Sequence, residues 1–372
     1  MYLDHAATTP VRKEVLEVML PYFSEKFANP SSLYSLAREN RRDIENARAK
    51  IAEIIGAEAV EEVIFTSGGT ESCNLAIDGV MQANPKKTHI VISSIEHSAV
   101  LNVAEKYDCT ILEVDEFGKV DPVKLKEAIR PETGLISIMY ANNEIGTIQD
   151  IQVLSQIARE AGIPFHTDAC QAASCLDINV QNLGVDLLTL NGSKIYGPKG
   201  VGILYKKDSI LFNPQILGGD QESGMRAGTE NVPGIIGFAK ALELITNERK
   251  FEAIRLKKLQ ANLIEMLQKN ISEIKINGHL TDRIPNNVNI SIDGVEGESV
   301  LVRLDQKGIF VSTGSACSAN NMNPSHVLTA IGLNKNQSHS SLRISLGHSN
   351  NEKDLEKFVK ILSEIVSDLR QI

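Results

Sequence analysis

None of the five cysteines (Cys73, Cys109, Cys170, Cys175, Cys317) belongs to a CxxC pair, and their number is odd. That pattern supports neither a zinc site nor a disulfide framework. It suits a reducing compartment, in which a thiol stays free. No apolar run approaches the roughly 20 residues that a membrane helix needs. The start, Met-Tyr-Leu-Asp-His-Ala-Ala-Thr-Thr-Pro10, lacks the basic flank and apolar stretch of a secretory leader. A cytoplasmic protein that engages no membrane is therefore expected. Positive charge is not in excess either: 38 Lys and Arg face 47 Asp and Glu, for a net charge of −9. This argues against a direct nucleic-acid surface. Internal repeats and low-complexity segments are absent as well.

What is present is an ordinary globular composition, 42% hydrophobic and 23% charged, over 372 residues. That length accommodates more than one core, most simply a large and a smaller domain. Val63–Thr66, His89–Ser93, Thr110–Val114 and Leu135–Met139 read as buried strands, and Pro164–Thr167, Asp186–Leu190 and Gly202–Tyr205 continue the series. Helical patterns such as Ile151–Ala161 lie between several of them. Strands interleaved with helices predict an α/β domain with a mostly parallel sheet covered on both faces. Residues 235–270 hold one glycine, Gly237, and no proline, and read as one interdomain helix. Short strands over Asn287–Ile292, Gly308–Ser312 and Leu342–Leu346 follow, then a terminal helix whose apolar face runs from Leu355 to Leu369. Ser349 with Glu352 offers a capping box at its start.

Four groups of residues carry chemistry. Thr66-Ser-Gly-Gly-Thr70 follows a strand and opens a helix, so free N–H groups beside Gly68 and Gly69, with the Thr70 hydroxyl, make a phosphate cradle. Asp168 ends a strand, where open α/β sheets place their ligands. Lys194 follows the next strand, in Asn191-Gly-Ser-Lys194. Cys317 lies in a stretch, Thr313 to Asn323, built of small and polar residues apart from Met322; such a stretch buries little and is expected to be exposed and mobile. An accessible thiol near a cationic site ionises and attacks. The other four cysteines read as small buried hydrophobes. Taken singly, Gly68-Gly69 is a turn, Asp168 a helix cap and Lys194 a surface lysine. Their joint occurrence is what suggests a pyridoxal 5'-phosphate (PLP) site, with a Schiff-base lysine and a carboxylate paired with the pyridinium nitrogen.

In combination these motifs resemble the NifS/IscS-like cysteine desulfurases, class V aminotransferases of PLP fold type I, over roughly residues 2–365. The resemblance implies a large PLP-binding domain over 15–250, and a small α+β domain from 1–14 with 251–372 carrying the cysteine loop. It implies that Lys194, which precedes Tyr196-Gly-Pro-Lys-Gly200, takes the Schiff base rather than Lys199. His97 in Ile95-Glu-His-Ser98 stacks on the ring and moves protons, a task suited to a group of pKa about 6.5. Gly69, Thr70, Asn143, Asp168, Gln171, Asn191 and Ser193 bind cofactor. Thr229, in Gly218–Asn231, serves the neighbouring subunit of a homodimer. Asn143 also lies near the substrate, and Arg343, in Ser341-Leu-Arg-Ile-Ser-Leu-Gly347, grips its carboxylate with a planar fork.

The implied reaction converts L-cysteine to L-alanine, leaving a persulfide on Cys317 for an acceptor protein, an iron–sulfur scaffold or a tRNA-thiolation enzyme. Selenocysteine lyase and aminotransferase are the enzymatic alternatives. A PLP-fold binding partner without activity is the non-enzymatic one. Five positions depart from the family pattern. Ser193 stands where a histidine is common, Tyr34 and Ala37 where His and Gly are, Ser223 where a basic residue is usual, and His348 where Arg is.

Overall fold

A computed structural model describes residues 1–313 and 324–371. Seven strands form one sheet: β1 (Val63–Thr66), β2 (His89–Ser93), β3 (Asp108–Leu112), β4 (Thr133–Ser137), β5 (Phe165–Asp168), β6 (Leu187–Asn191) and β7 (Gly202–Lys206). Their order across the sheet is β1-β7-β6-β5-β4-β2-β3. The pairs from β3 through β6 are parallel, and β7 lies antiparallel to both β6 and β1. β1 consequently runs in the same direction as β6. The carboxyl ends of β1, β2, β4, β5 and β6 thus emerge along one edge of the sheet, where ligands of such sheets bind.

Alternation along each strand feeds two cores. Val63, Phe65, Val91, Ile136, Leu188 and Ile203 enter one cluster, while Ile64, Ile90, Ile92, Leu135, Leu187 and Leu204 enter another. Successive side chains of a strand point to opposite faces, so a sheet covered on both sides needs apolar residues at consecutive positions. This is why the strands read as continuous hydrophobic runs.

A second, antiparallel sheet has the order β10-β9-β8, built from β8 (Ile274–Asn277), β9 (Asn287–Ile292) and β10 (Ser341–Ser345). It packs with the terminal helix Glu352–Leu369 through Leu355, Phe358, Val359, Leu362, Ile365 and Val366. The helix Val232–Asn270 links the cores: its Phe238, Leu242 and Ile245 lie in the large one, its Leu256, Leu259, Leu263 and Leu267 in that of the small sheet. Its 39 residues span about 58 Å at 1.5 Å each. The Asn231 side chain accepts the Gly234 N–H at 3.2 Å, and Pro233 sits in the first turn, so the start is chemically marked.

Three expectations shift. Gly308–Ser312 makes only isolated bridges, Phe310 with Tyr2 and Ser312 with Arg343, and is no regular strand. β8, weakly patterned and partly exposed, escaped the sequence reading. The terminal helix is capped by Asn351 with Asp354, not by Ser349 with Glu352. Residues 347–350 first close a turn, in which Asn350 Oδ1 accepts the Gly347 N–H at 2.8 Å, so the helix begins later.

Candidate active site

The phosphate turn forms because Gly68 takes a left-handed φ of 148° between β1 and the helix Gly69–Ala83, a region of backbone space open to glycine. A Cβ at Gly69 would stand 2.9 Å from Cys170 Sγ and 3.4 Å from Asn191 Nδ2. The glycine therefore keeps a concavity open at the helix start, with free N–H groups facing it. Thr70 is exposed beside it. Asn191 Oδ1 accepts from both the N–H and the hydroxyl of Ser193, each at 3.2 Å, which turns that hydroxyl toward Asn191.

Asp168 ends β5, buried to 8% exposure, with Oδ1 accepting the Cys170 N–H at 2.9 Å and Oδ2 within 3.7 Å of Cys73 Sγ. Cys73 is fully buried, as expected. Cys170 is only partly buried, unlike the core residue the sequence suggested, and its Sγ borders Gly69. Burial pushes its thiol well up, the Asp168 charge adds to this, and the Lys194 cation opposes it. The thiol stays protonated.

Lys194 is half-buried in the turn after β6 and reaches the Ala7 carbonyl. Lys199, its rival, is exposed and bonds to the Thr9 carbonyl at 2.9 Å. Tyr196 holds a left-handed φ of 61°, strained for a bulky side chain. It is fixed by its N–H to Thr9 Oγ1 at 2.7 Å and by its hydroxyl accepting the His348 N–H at 3.0 Å.

The N-terminal strap Asp4–Thr9 is the part that sequence reasoning missed. Asp4 Oδ1 accepts from Arg343 at 2.8 Å, the Ala6 carbonyl accepts from Gln171 Nε2 at 2.9 Å, the Ala7 carbonyl accepts from Lys194, and Thr9 bonds to the Ser193 carbonyl. These four contacts tie residues 4–9 to groups more than 160 positions away, and no local pattern announces them.

Arg343 is 3% exposed, with one terminal nitrogen donating to the Asn143 carbonyl at 3.2 Å and the other to Asp4. Its buried Nε–H has no partner among the described residues, so one guanidinium donor is left over. His97 caps the helix Ser98–Ala104, its Nδ1 accepting the Ala99 N–H at 3.1 Å. That bond puts the neutral ring's proton on Nε2.

Two buried acids, unremarked in the sequence although each adjoins a predicted site residue, flank this group. Burial raises Glu144 to about 7, against a bond from Ser325 Oγ at 2.6 Å and the charges of Arg343 and His97. Glu96 is fully buried beside His97 and rises to about 8 for the same reason.

Gly69, Asn191, Ser193, Asp168, Gln171 and Lys194 are thus brought together at the sheet's carboxyl edge, and Arg343 with Asn143 joins them through the strap. Thr229 is exposed, and no hydrogen bond joins it to the cradle among the described residues. Cys317 lies outside the described residues. The donor set fits PLP: a cradle a Cβ would fill, a carboxylate at a strand end, an amine near both and an arginine with a spare donor.

Fold and site together define an α/β enzyme of PLP fold type I. The chain belongs to the class-V aminotransferase family, whose description, "Aminotransferase class-V", matches residues 1–358. Within it the chain is 51% identical to a cysteine desulfurase IscS of Dictyoglomus turgidum, over 100% of this chain and 96% of the relative. It is 50% identical to a cysteine desulfurase IscS of Methanosarcina thermophila, over 100% and 93%. Among solved structures, a NifS-like protein superposes with TM-score 0.93 at 34% identity, covering 99% of both chains. SspA in complex with cysteine superposes with TM-score 0.82 at 39% identity, covering 93% of this chain and 98% of that one. No helix among the described residues is long and apolar enough to cross a membrane.

Proposed function

We propose that this PLP-dependent cysteine desulfurase takes L-cysteine to L-alanine and stores the sulfur as a persulfide on Cys317. One observation supports this most: Asp168 lies beside the glycine cradle through Cys170, and the strap Asp4–Thr9 bonds to both Lys194 and Arg343. PLP held there supplies the electron sink that makes the substrate's Cα–H acidic. Gly69, Thr70, Asn191 and Ser193 would hold its phosphate. Asp168 would hold the proton on the pyridine nitrogen, Gln171 would donate to the ring oxygen, and Lys194 would hold the aldehyde. Arg343 and Asn143 orient the substrate carboxylate. The Lys194 amine would move the Cα proton, with His97 presenting its Nε2–H from the helix start.

The Cys317 thiolate then attacks the substrate sulfur. A sulfur–sulfur bond forms as the carbon–sulfur bond breaks, and the electron pair left on carbon takes a proton to give alanine. Substrate and thiol yield alanine and persulfide with no external oxidant. The persulfide passes to an acceptor protein, an iron–sulfur scaffold or a tRNA-thiolation enzyme, in the cytoplasm.

We also infer a homodimer in which the exposed Thr229 completes the partner's phosphate site. Exposed Leu20, Phe23, Phe27 and Leu33 supply apolar surface for it. The two sheets with their separate cores support a division into residues 15–250 and residues 1–14 with 251–372.

PLP-loaded protein incubated with L-cysteine and a thiol reductant should release alanine and sulfide in equal amounts, and Cys317→Ala should abolish sulfide. Persulfide formation at the wild-type rate in Cys317→Ala would sink the assignment.

A further inference from the structure

Glu222 (φ 49°, ψ 40°) and Ser223 (φ 54°, ψ 34°) hold left-handed backbone in succession, although neither is glycine. Such geometry persists only where the surroundings over-determine it. Here the cause is visible. The Glu222 carboxylate, its side chain 4% exposed, receives two parallel bonds from Arg48 at 2.7 and 2.9 Å. It also accepts the Phe65 N–H at 2.8 Å. Phe65 belongs to β1, the edge strand that runs directly into the phosphate turn. The strained pair is thus a pin that fixes the following segment to the sheet edge.

Four residues on, the same segment makes a second attachment. Arg226 donates from Nε to Glu71 Oε1 at 2.9 Å and from a terminal nitrogen to Oε2 at 3.3 Å. Glu71 lies in the first turn of the helix Gly69–Ala83, and its Oε2 accepts the Ser67 N–H at 2.8 Å, within the phosphate turn itself. Burial acts to raise this carboxyl, but the bonds from Arg226 and Ser67 outweigh it and keep it ionised. A bare carboxylate here would repel a phosphate dianion at the helix start and cancel the favourable dipole.

We propose that Arg226, carried on a segment pinned by Glu222, is a positioning residue for the cofactor phosphate: it neutralises Glu71 and holds that carboxylate on the Ser67 N–H. This rests on reading the Thr66–Thr70 turn as the phosphate site. It adds that the turn's anion affinity is set by an ion pair behind it, from residues that do not touch the ligand.

The test uses the full chain, freed of cofactor and titrated with PLP and with pyridoxal, which lacks the phosphate. Arg226→Gln should weaken PLP about tenfold, the scale of one charge-assisted hydrogen bond, and leave pyridoxal affinity unchanged. Arg226→Lys should retain most of the PLP affinity. The double variant Arg226→Gln, Glu71→Gln should recover it, because the uncompensated charge is gone. Glu222→Gln should move PLP affinity in the same direction as Arg226→Gln, with circular dichroism confirming the fold. An Arg226→Gln protein that binds PLP like wild type, or loses PLP and pyridoxal equally, overturns the proposal. So does a double variant no better than the single one. A wild type that does not distinguish PLP from pyridoxal would instead remove the phosphate-site reading.

Discussion

Replacing Glu96 by glutamine should make the protein more stable at alkaline pH and no more so in acid. The carboxyl is fully buried; Oε1 accepts from Ser93 Oγ at 2.5 Å and the Met139 N–H at 2.9 Å, while Oε2 has no partner among the described residues. Burial raises it from 4.5 to about 8, the Ser93 and Met139 bonds act the other way, and the Asp168 charge adds to the rise. The native state therefore holds a proton that the unfolded chain releases above 4.5. Stability from this group is complete below 4.5 and is lost progressively as pH climbs to about 8. At about 1.4 kcal/mol per pH unit the loss comes to about 5 kcal/mol.

Glutamine keeps the Oε1 acceptor and cannot ionise. Any fixed cost of its unpaired amide is independent of pH and drops out of a slope. The assay is urea unfolding of the cofactor-loaded wild type and Glu96→Gln from pH 5 to 8, compared as a difference. The expected slope favours the variant by about 1 kcal/mol per pH unit. A flat difference would refute the claim that Glu96 is held neutral by burial.

Two further outcomes follow from the site. Arg343→Lys keeps a cation but loses the planar fork, so the KM for L-cysteine should rise about tenfold or more; alanine formation against substrate concentration measures it, and an unchanged KM would count against Arg343 as the carboxylate grip. Gly69→Ala places a Cβ 2.9 Å from Cys170 Sγ, a strain of about 1–3 kcal/mol. The variant should fold but lose the PLP absorbance band on dialysis, and full retention of the band would count against the cradle.

Much of the site was legible because its groups sit at strand ends. Asp168, Asn191 and the Gly68-Gly69 turn each follow a recognisable buried run, and open α/β sheets place ligands at that edge whatever their sequence. The alternation of Val63, Ile64 and Phe65 between two cores explains why strand positions could be found, while boundaries moved by up to two residues, as for Thr110–Val114 against Asp108–Leu112. Local chemistry erred where a tertiary turn intervened. Ser349 and Glu352 have the spacing of a cap, yet the bond between Gly347 and Asn350 passed that role to Asn351.

By itself the sequence determined the class of fold and the PLP chemistry its motifs imply, because those motifs are short runs of neighbouring residues, and a family resemblance singled out Lys194 and Asp168 as candidates. Only the tertiary structure decided what surrounds them. The strap that joins Asp4 to Arg343, the buried acids Glu96 and Glu144, and the pin from Glu222 to Arg48 and Phe65 all link residues distant along the chain. Charge, burial and hydrogen bonding at those positions arise from neighbours that folding supplies. No pattern of spacing along the chain encodes them.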